Sequence, residues 1–198
     1  MKKLILGVLA SGMIAVSLLA ATGAGADGLS LRLGAGRFDD GLTKVLGNST
    51  DAQAQWTNKE SRTGKFSVVL EKSAPTPEWV FAGAVIAGAE GMTVADLGNL
   101  EMSVKGNCGG GAPRFNLYYD STGDGQIDGV AFYGCGNNAV GAPVNGWTTM
   151  SADAELDDAN APVSGTVVQL SVIVDEQGIY YIDDITVDGV ALGEPSGK

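Results

Sequence analysis

From residue 29 onward the chain is a succession of short apolar and polar runs, closed again and again by Gly, Pro, Asn or Asp. The runs are "LSLRL" (29–33), "KFSVVLEK" (65–72), "EWVFAGAVIAG" (78–88), "LEMSVKG" (100–106), "RFNLYYD" (114–120), "GVAFYGC" (129–135), "GWTTMSA" (146–152), "TVVQLSVIVD" (166–175) and "IYYIDDITVDG" (179–189). Several alternate with the period of a strand. Val168, Leu170, Val172 and Val174 are set against Gln169 and Ser171. Period-2 alternation with turn formers every ten to fifteen residues predicts an all-β fold, an antiparallel β-sandwich of the jelly-roll type. Beyond the first two dozen residues, the nearest approach to a helix is "DAQAQWTNKE" (51–60), and it has no apolar stripe. The long irregular stretches, 34–64 and 153–165, read as loops on the outside of one sandwich, because neither is long enough to separate two cores.

Ahead of this pattern stand Lys2 and Lys3, an apolar run from Leu4 to about Ala21, and the small residues Ala24-Gly25-Ala26 before Asp27. That order is a bacterial-type secretory signal peptide with cleavage expected after Ala26. The expected product is a secreted, extracellular protein, residues 27–198, with no membrane attachment after signal cleavage and a single β-sandwich domain. Its oligomeric state is not legible.

The chain carries 12 Lys and Arg against 23 Asp and Glu and has no histidine. An acidic field repels nucleic acid and anionic membrane and attracts cations. Without histidine there is no Ser-His-Asp or Cys-His nucleophile and no ordinary zinc site. The two cysteines, Cys108 and Cys135, are expected to form one disulfide outside the cytosol. Such a bridge would hold both ends of the segment between them.

That segment contains "YYDSTGDGQIDGVAFYGC" (118–135). With Asp120 as position 1 of a calcium loop, Thr122, Asp124 and Asp128 fall at positions 3, 5 and 9. Gln126 offers a carbonyl at position 7, Gly125 supplies the sharp turn, and Ile127 takes the apolar position 8. Three carboxylates so close in sequence repel one another unless a cation lies among them. Position 12, however, is Ala131, and the flanks are strands rather than helices. The other reading is an acidic, glycine-rich hairpin turn. If calcium binds, it is expected to be a stabiliser of modest affinity.

Two further stretches, "SRTGKFSVVLEK" after Trp56 and the closing "GIYYIDDITVDG", resemble strands of the carbohydrate-binding jelly rolls that accompany secreted polysaccharide-degrading enzymes, the galactose-binding-like modules. The resemblance implies a polysaccharide or cell-surface glycan as partner. It also implies a second structural calcium between an early strand and the last one, which here would involve Asp39 or Asp40 with Asp183 or Asp184. Sugars stack on aromatic faces in such folds, with amides and carboxylates taking the hydroxyls. The aromatic candidates are Trp56, Trp79, Trp147, Tyr118, Tyr133 and Tyr180. Trp147, beside a glycine turn, and Tyr118, out of phase with Phe115, Leu117 and Tyr119, are the ones expected to be exposed.

Catalysis would need two carboxylates about 5–9.5 Å apart across a glycosidic bond. Glu71, Glu78 and Glu101 lie in or beside strands without a clustered acidic motif. The expectation is therefore a non-catalytic, calcium-stabilised glycan-binding module. The alternative is a calcium-stabilised structural, matrix or adhesion protein of the cell surface, with a glycoside hydrolase behind both.

Overall fold

The computed structural model describes residues 28–39, 42–73, 80–109 and 111–193. The leader and its cleavage site, Asp40, Glu78 and Trp79 lie outside them. Two antiparallel sheets stack face to face. One contains β1 (Ser30–Asp39), β2 (Leu42–Val45), β5 (Val80–Ala87), β7 (Arg114–Asp120), β8 (Gly129–Gly134) and β11 (Thr166–Val174), in the order β2-β1-β5-β11-β7-β8. The other contains β3 (Ala52–Thr57), β4 (Ser67–Lys72), β6 (Asn99–Lys105), β9 (Ala139–Val140), β10 (Trp147–Asp153) and β12 (Gly178–Val187), in the order β3-β4-β12-β6-β10-β9, with β13 (Val190–Ala191) paired to β12. This is the sandwich that the alternation predicts.

Side chains alternate across each strand, and one set from each sheet fills the space between them. Phe115, Leu117, Leu170, Val172 and Val174 from the first sheet meet Leu70, Leu100, Met102, Val104, Met150 and Ile182 from the second, all fully buried. One strand breaks its own rhythm. A register shift between Val167 and Gln169 sends Val167 to the core and removes Val168 from the row it shares in sequence with Leu170, Val172 and Val174. The bulge uses one extra residue, so the sequence alternation is correct only from Leu170 onward.

The stretch 34–64 departs most from its reading as loop. It completes β1 and forms β2 and β3. Gly34, Ala35 and Gly36 lack strand-forming side chains, and Gln53 and Gln55 give β3 a weak apolar signature, so neither strand announces itself. The glycines have a steric reason. A Cβ on Gly34 would meet Val45, and one on Gly36 would overlap the Lys44 carbonyl and the Phe81 ring. The β1–β2 hairpin is thereby free to curl over the outer face of its own sheet. Thr43, on the edge strand, receives a hydrogen bond from Ser171 Oγ at 3.3 Å, donates to Tyr118 Oη at 3.3 Å, and binds Gln169 Oε1 through its backbone N–H at 2.9 Å. In a flat sheet four strand spacings would separate β2 from β7, roughly 19 Å. The hairpin is therefore a strap across β5 and β11. Under it, outward-facing Phe81, Ser171 and Ile173 are all 0% exposed.

Cys108 and Cys135 are disulfide-bonded with Cα atoms 5.5 Å apart. They close the two ends of the β7–β8 hairpin, as expected.

Candidate functional site

Beyond the strap, the outer face of β8 stays open, while Asn116 and Tyr118 of β7 are buried beside it. A groove of about 300 Å³ is lined there by Phe38 of the strap, Arg114, Asn116 and Tyr118 of β7, and Val130 and Phe132 of β8. The register explains the set: Asn116 lies opposite Phe132 and Tyr118 opposite Val130, so all their side chains leave the sheet on one side. Phe132 is 38% exposed. Phe38 meets Phe81 with ring centroids 5.1 Å apart, fixing the strap wall of the groove.

The polar residues of the groove form an ordered relay. Asp175 clamps the Arg114 guanidinium through Nη1 at 2.8 Å and Nη2 at 2.7 Å, a bidentate pair that fixes the plane of the fork. Arg114 also donates to the Gly111 carbonyl, and its Nε donates to Asn116 Oδ1 at 3.0 Å. The guanidinium carbon lies 5.3 Å from the centroid of the Phe132 ring. Because Nε can only donate, the Asn116 amide must turn its oxygen to Arg114. Among the described residues its buried Nδ2 has no hydrogen-bond partner. An unpaired buried donor costs about 1–3 kcal/mol.

The expected exposure of Tyr118 and Trp147 is corrected. Tyr118 points outward but is 5% exposed, because the strap covers it and Thr43 engages its hydroxyl. Trp147 is 3% exposed. The turn between Val144 and Trp147, closed by N–H bonds in both directions, folds back on it, and Lys105 Nζ sits 5.9 Å above its ring. Trp147 still borders a shallow cavity with Arg62, Thr63 and Asn145. Trp56 is half-buried on the core side, beside a cavity shared with Asp183 and Asp184. Tyr133 is fully buried and donates to the Ala154 carbonyl at 2.7 Å, and burial raises its pKa. Tyr180 packs against the core and is raised by burial as well.

The acidic turn is bound up in itself. Asp120 Oδ2 accepts from the Gly125 N–H at 2.6 Å, and Oδ1 from the N–H groups of Gly123 at 2.7 Å and Thr122 at 3.0 Å. These bonds, that of Gly125 foremost, hold its pKa below the usual carboxylate value. Asp128 Oδ2 accepts from Ser121 Oγ, from Ser121 N–H and from Thr122 N–H, which lowers it likewise. Asp124 accepts only from Gln126 N–H at 2.8 Å. Among the described residues no three His, Cys, Asp or Glu side chains are gathered as a metal would require. The amide bonds satisfy the carboxylate oxygens that the sequence crowds into this turn.

The second acidic set is divided. Asp183 accepts from the N–H groups of Arg62 at 2.6 Å and Thr63 at 3.1 Å, and Asp184 takes the Arg62 guanidinium and the Thr63 hydroxyl. Leu31 lines the same cavity as Asp183 and Asp184, whereas Asp39 stands at the far end of that strand, about 26 Å further at 3.3 Å per residue. The backbone of Asp39 therefore lies well away from Asp183 and Asp184 along β1. Glu71 and Glu101 are also apart. They pair with Ile179 and Thr186 on β12, positions about 23 Å apart along that strand, well beyond the 5–9.5 Å of a glycosidase pair.

Arg114, Asn116, Val130, Phe132 and Phe38 escape the sequence reading as site residues. One signal was present: "GVAFYG" (129–134) is apolar on both faces, and an edge strand needs only one.

No family model matches the chain, and no curated protein does. Among solved structures, a family 30 carbohydrate-binding module is 14% identical, with 83% of this chain and 87% of that one covered and a TM-score of 0.50. The fold is that of a carbohydrate-binding-module β-sandwich. The family 30 module of a cellulosomal cellulase from Clostridium thermocellum is 13% identical, with 79% and 91% covered and a TM-score of 0.49. A xylan-binding domain of family 22 is 13% identical, with 84% and 94% covered and a TM-score of 0.41. At these identities the likeness to carbohydrate-binding modules is one of fold alone.

Proposed function

We propose that this protein is a secreted, non-catalytic glycan-binding module whose ligand lies in the β7–β8 groove. The observation that carries the reading is the half-exposed Phe132 ring in a groove walled by Phe38 and Tyr118, with the Asn116 amide, oriented by Arg114 and without a partner among the described residues, at its floor. A pyranose has an apolar C–H face for an aromatic ring and hydroxyl oxygens at its edge for an amide donor. Such a groove suits both at once. Arg114, already neutralised by Asp175, positions the amide and the ring without drawing in an anion.

The test is binding across a panel of soluble xylans, glucans, mannans, galactans and pectins, with Phe132→Ala as the variant. Loss of the exposed ring should weaken binding about tenfold, since an aromatic contact of ~0.5–1.5 kcal/mol approaches one decade of affinity. The melting temperature should stay within a degree or two of the unaltered protein, as for other exposed substitutions. No binding across the panel would remove this reading and leave the surface-structural alternative.

Calcium at Asp120, Thr122, Asp124, Gln126 and Asp128 is a separate part of the proposal. It requires carboxylates now held by amides to turn toward an ion. Its test is a thermal melt in millimolar calcium and in chelator: a rise in Tm with calcium supports it, and superimposable curves dispose of it.

A further inference from the structure

Resting on that reading, we propose that the groove takes the end of a glycan chain rather than a stretch of its interior. The outer face of the first sheet is six strands wide, and an unobstructed face of that width would accommodate a long chain laid across the strands. The strap removes most of it. Phe81 and Val85 of β5 and Ser171 and Ile173 of β11 all point outward, yet each is buried. What stays open is the strip on the outer side of β8, with Arg114 of β7 partly exposed beside it.

The two sides of the strip differ. Toward β11 the way is barred by Phe38 and by Thr43, whose hydrogen bonds to Ser171 and Tyr118 fasten the strap to the sheet. On the other side β8 is the last strand, and Val130 and Phe132 stand 40% and 38% exposed at its edge. Across the strands the groove is closed on the strap side and open on the β8 side. A chain lying across the strands can put its terminal ring against Phe38 and run out over β8, but it cannot continue beneath the strap. The volume of about 300 Å³ is at the lower limit for small-ligand sites.

The experiment uses the full mature protein and β-linked oligomers of xylose, glucose, mannose and galactose, one to six units long, by calorimetry. For whichever series binds, affinity should rise up to two units and then stay level within about twofold to six. At equal mass, a partially hydrolysed polymer should compete better than the intact one, in proportion to its chain ends. A Kd that keeps falling, tenfold or more between two and six units, overturns the chain-end inference and leaves the glycan reading standing. Absence of binding in every series overturns both. Gly36→Val, which crowds Lys44 and Phe81 and should lift the strap, is expected to restore length dependence. The series on the unaltered protein decides the question even if that variant does not fold.

Discussion

Replacing Phe81 by alanine is expected to cost about 3–5 kcal/mol of stability, the range for a fully buried phenylalanine. For a domain of this size that lowers Tm by roughly 6–20 °C. Phe81 faces away from the sandwich core, where a two-layer fold usually meets water. If the strap were not seated, Phe81→Ala would be a surface change worth less than about 0.5 kcal/mol. The 0% exposure and the Phe38 ring 5.1 Å away set the larger figure. Urea denaturation with an unchanged m-value gives the measurement, and a midpoint indistinguishable from the unaltered protein would mean the outer face is open. Amide exchange adds a local readout: β1 and β2 should lose protection ahead of β12.

Converting Cys108 and Cys135 together to serine is expected to cost about 3.5 kcal/mol by the loop-closure relation for a separation of 27 residues. The effect should reach the groove as well as the fold. Arg114, Asn116, Val130 and Phe132 all stand on the hairpin that the bridge closes, and Arg114 draws a further restraint from Asp175 on β7's neighbour side. Glycan affinity should fall with the stability, because the relay from Asp175 to Asn116 depends on β7 and β8 keeping their register. An unchanged urea midpoint in the double variant would contradict the expectation. A lowered midpoint with unchanged affinity would show that pairing in the sheet holds the groove without the bridge.

Much of the architecture is legible in the residues. The runs at 65–72, 100–106, 114–120 and 129–135 become β4, β6, β7 and β8 with boundaries moved by two residues or fewer, because alternation marks a strand with one buried face. The disulfide is legible in an even count of two cysteines, Cys108 and Cys135. The irregular reading of 34–64 fails for a nameable reason: β1 there is made of Gly34, Ala35 and Gly36, chosen for close approach rather than propensity. Local preference carries no trace of the second layer that demands small residues.

The candidate site was legible in part only. The chain itself points to a carbohydrate-binding-type sandwich and to the 118–135 hairpin as the place of interest, and the groove lies on that hairpin. It does not distinguish Tyr118 from Phe132. Both point outward from adjacent strands, yet a hairpin some eighty residues earlier covers the first and leaves the second half-exposed. Nor does it reveal the free amide of Asn116, since that depends on Arg114 being held by Asp175, a partner 61 residues away. Strand period and the cysteine bridge are properties of short stretches or of counts, and the sequence alone determined them. Which face is covered, which ring meets solvent and which donor lacks a partner depend on segments distant along the chain, and those the tertiary structure decided.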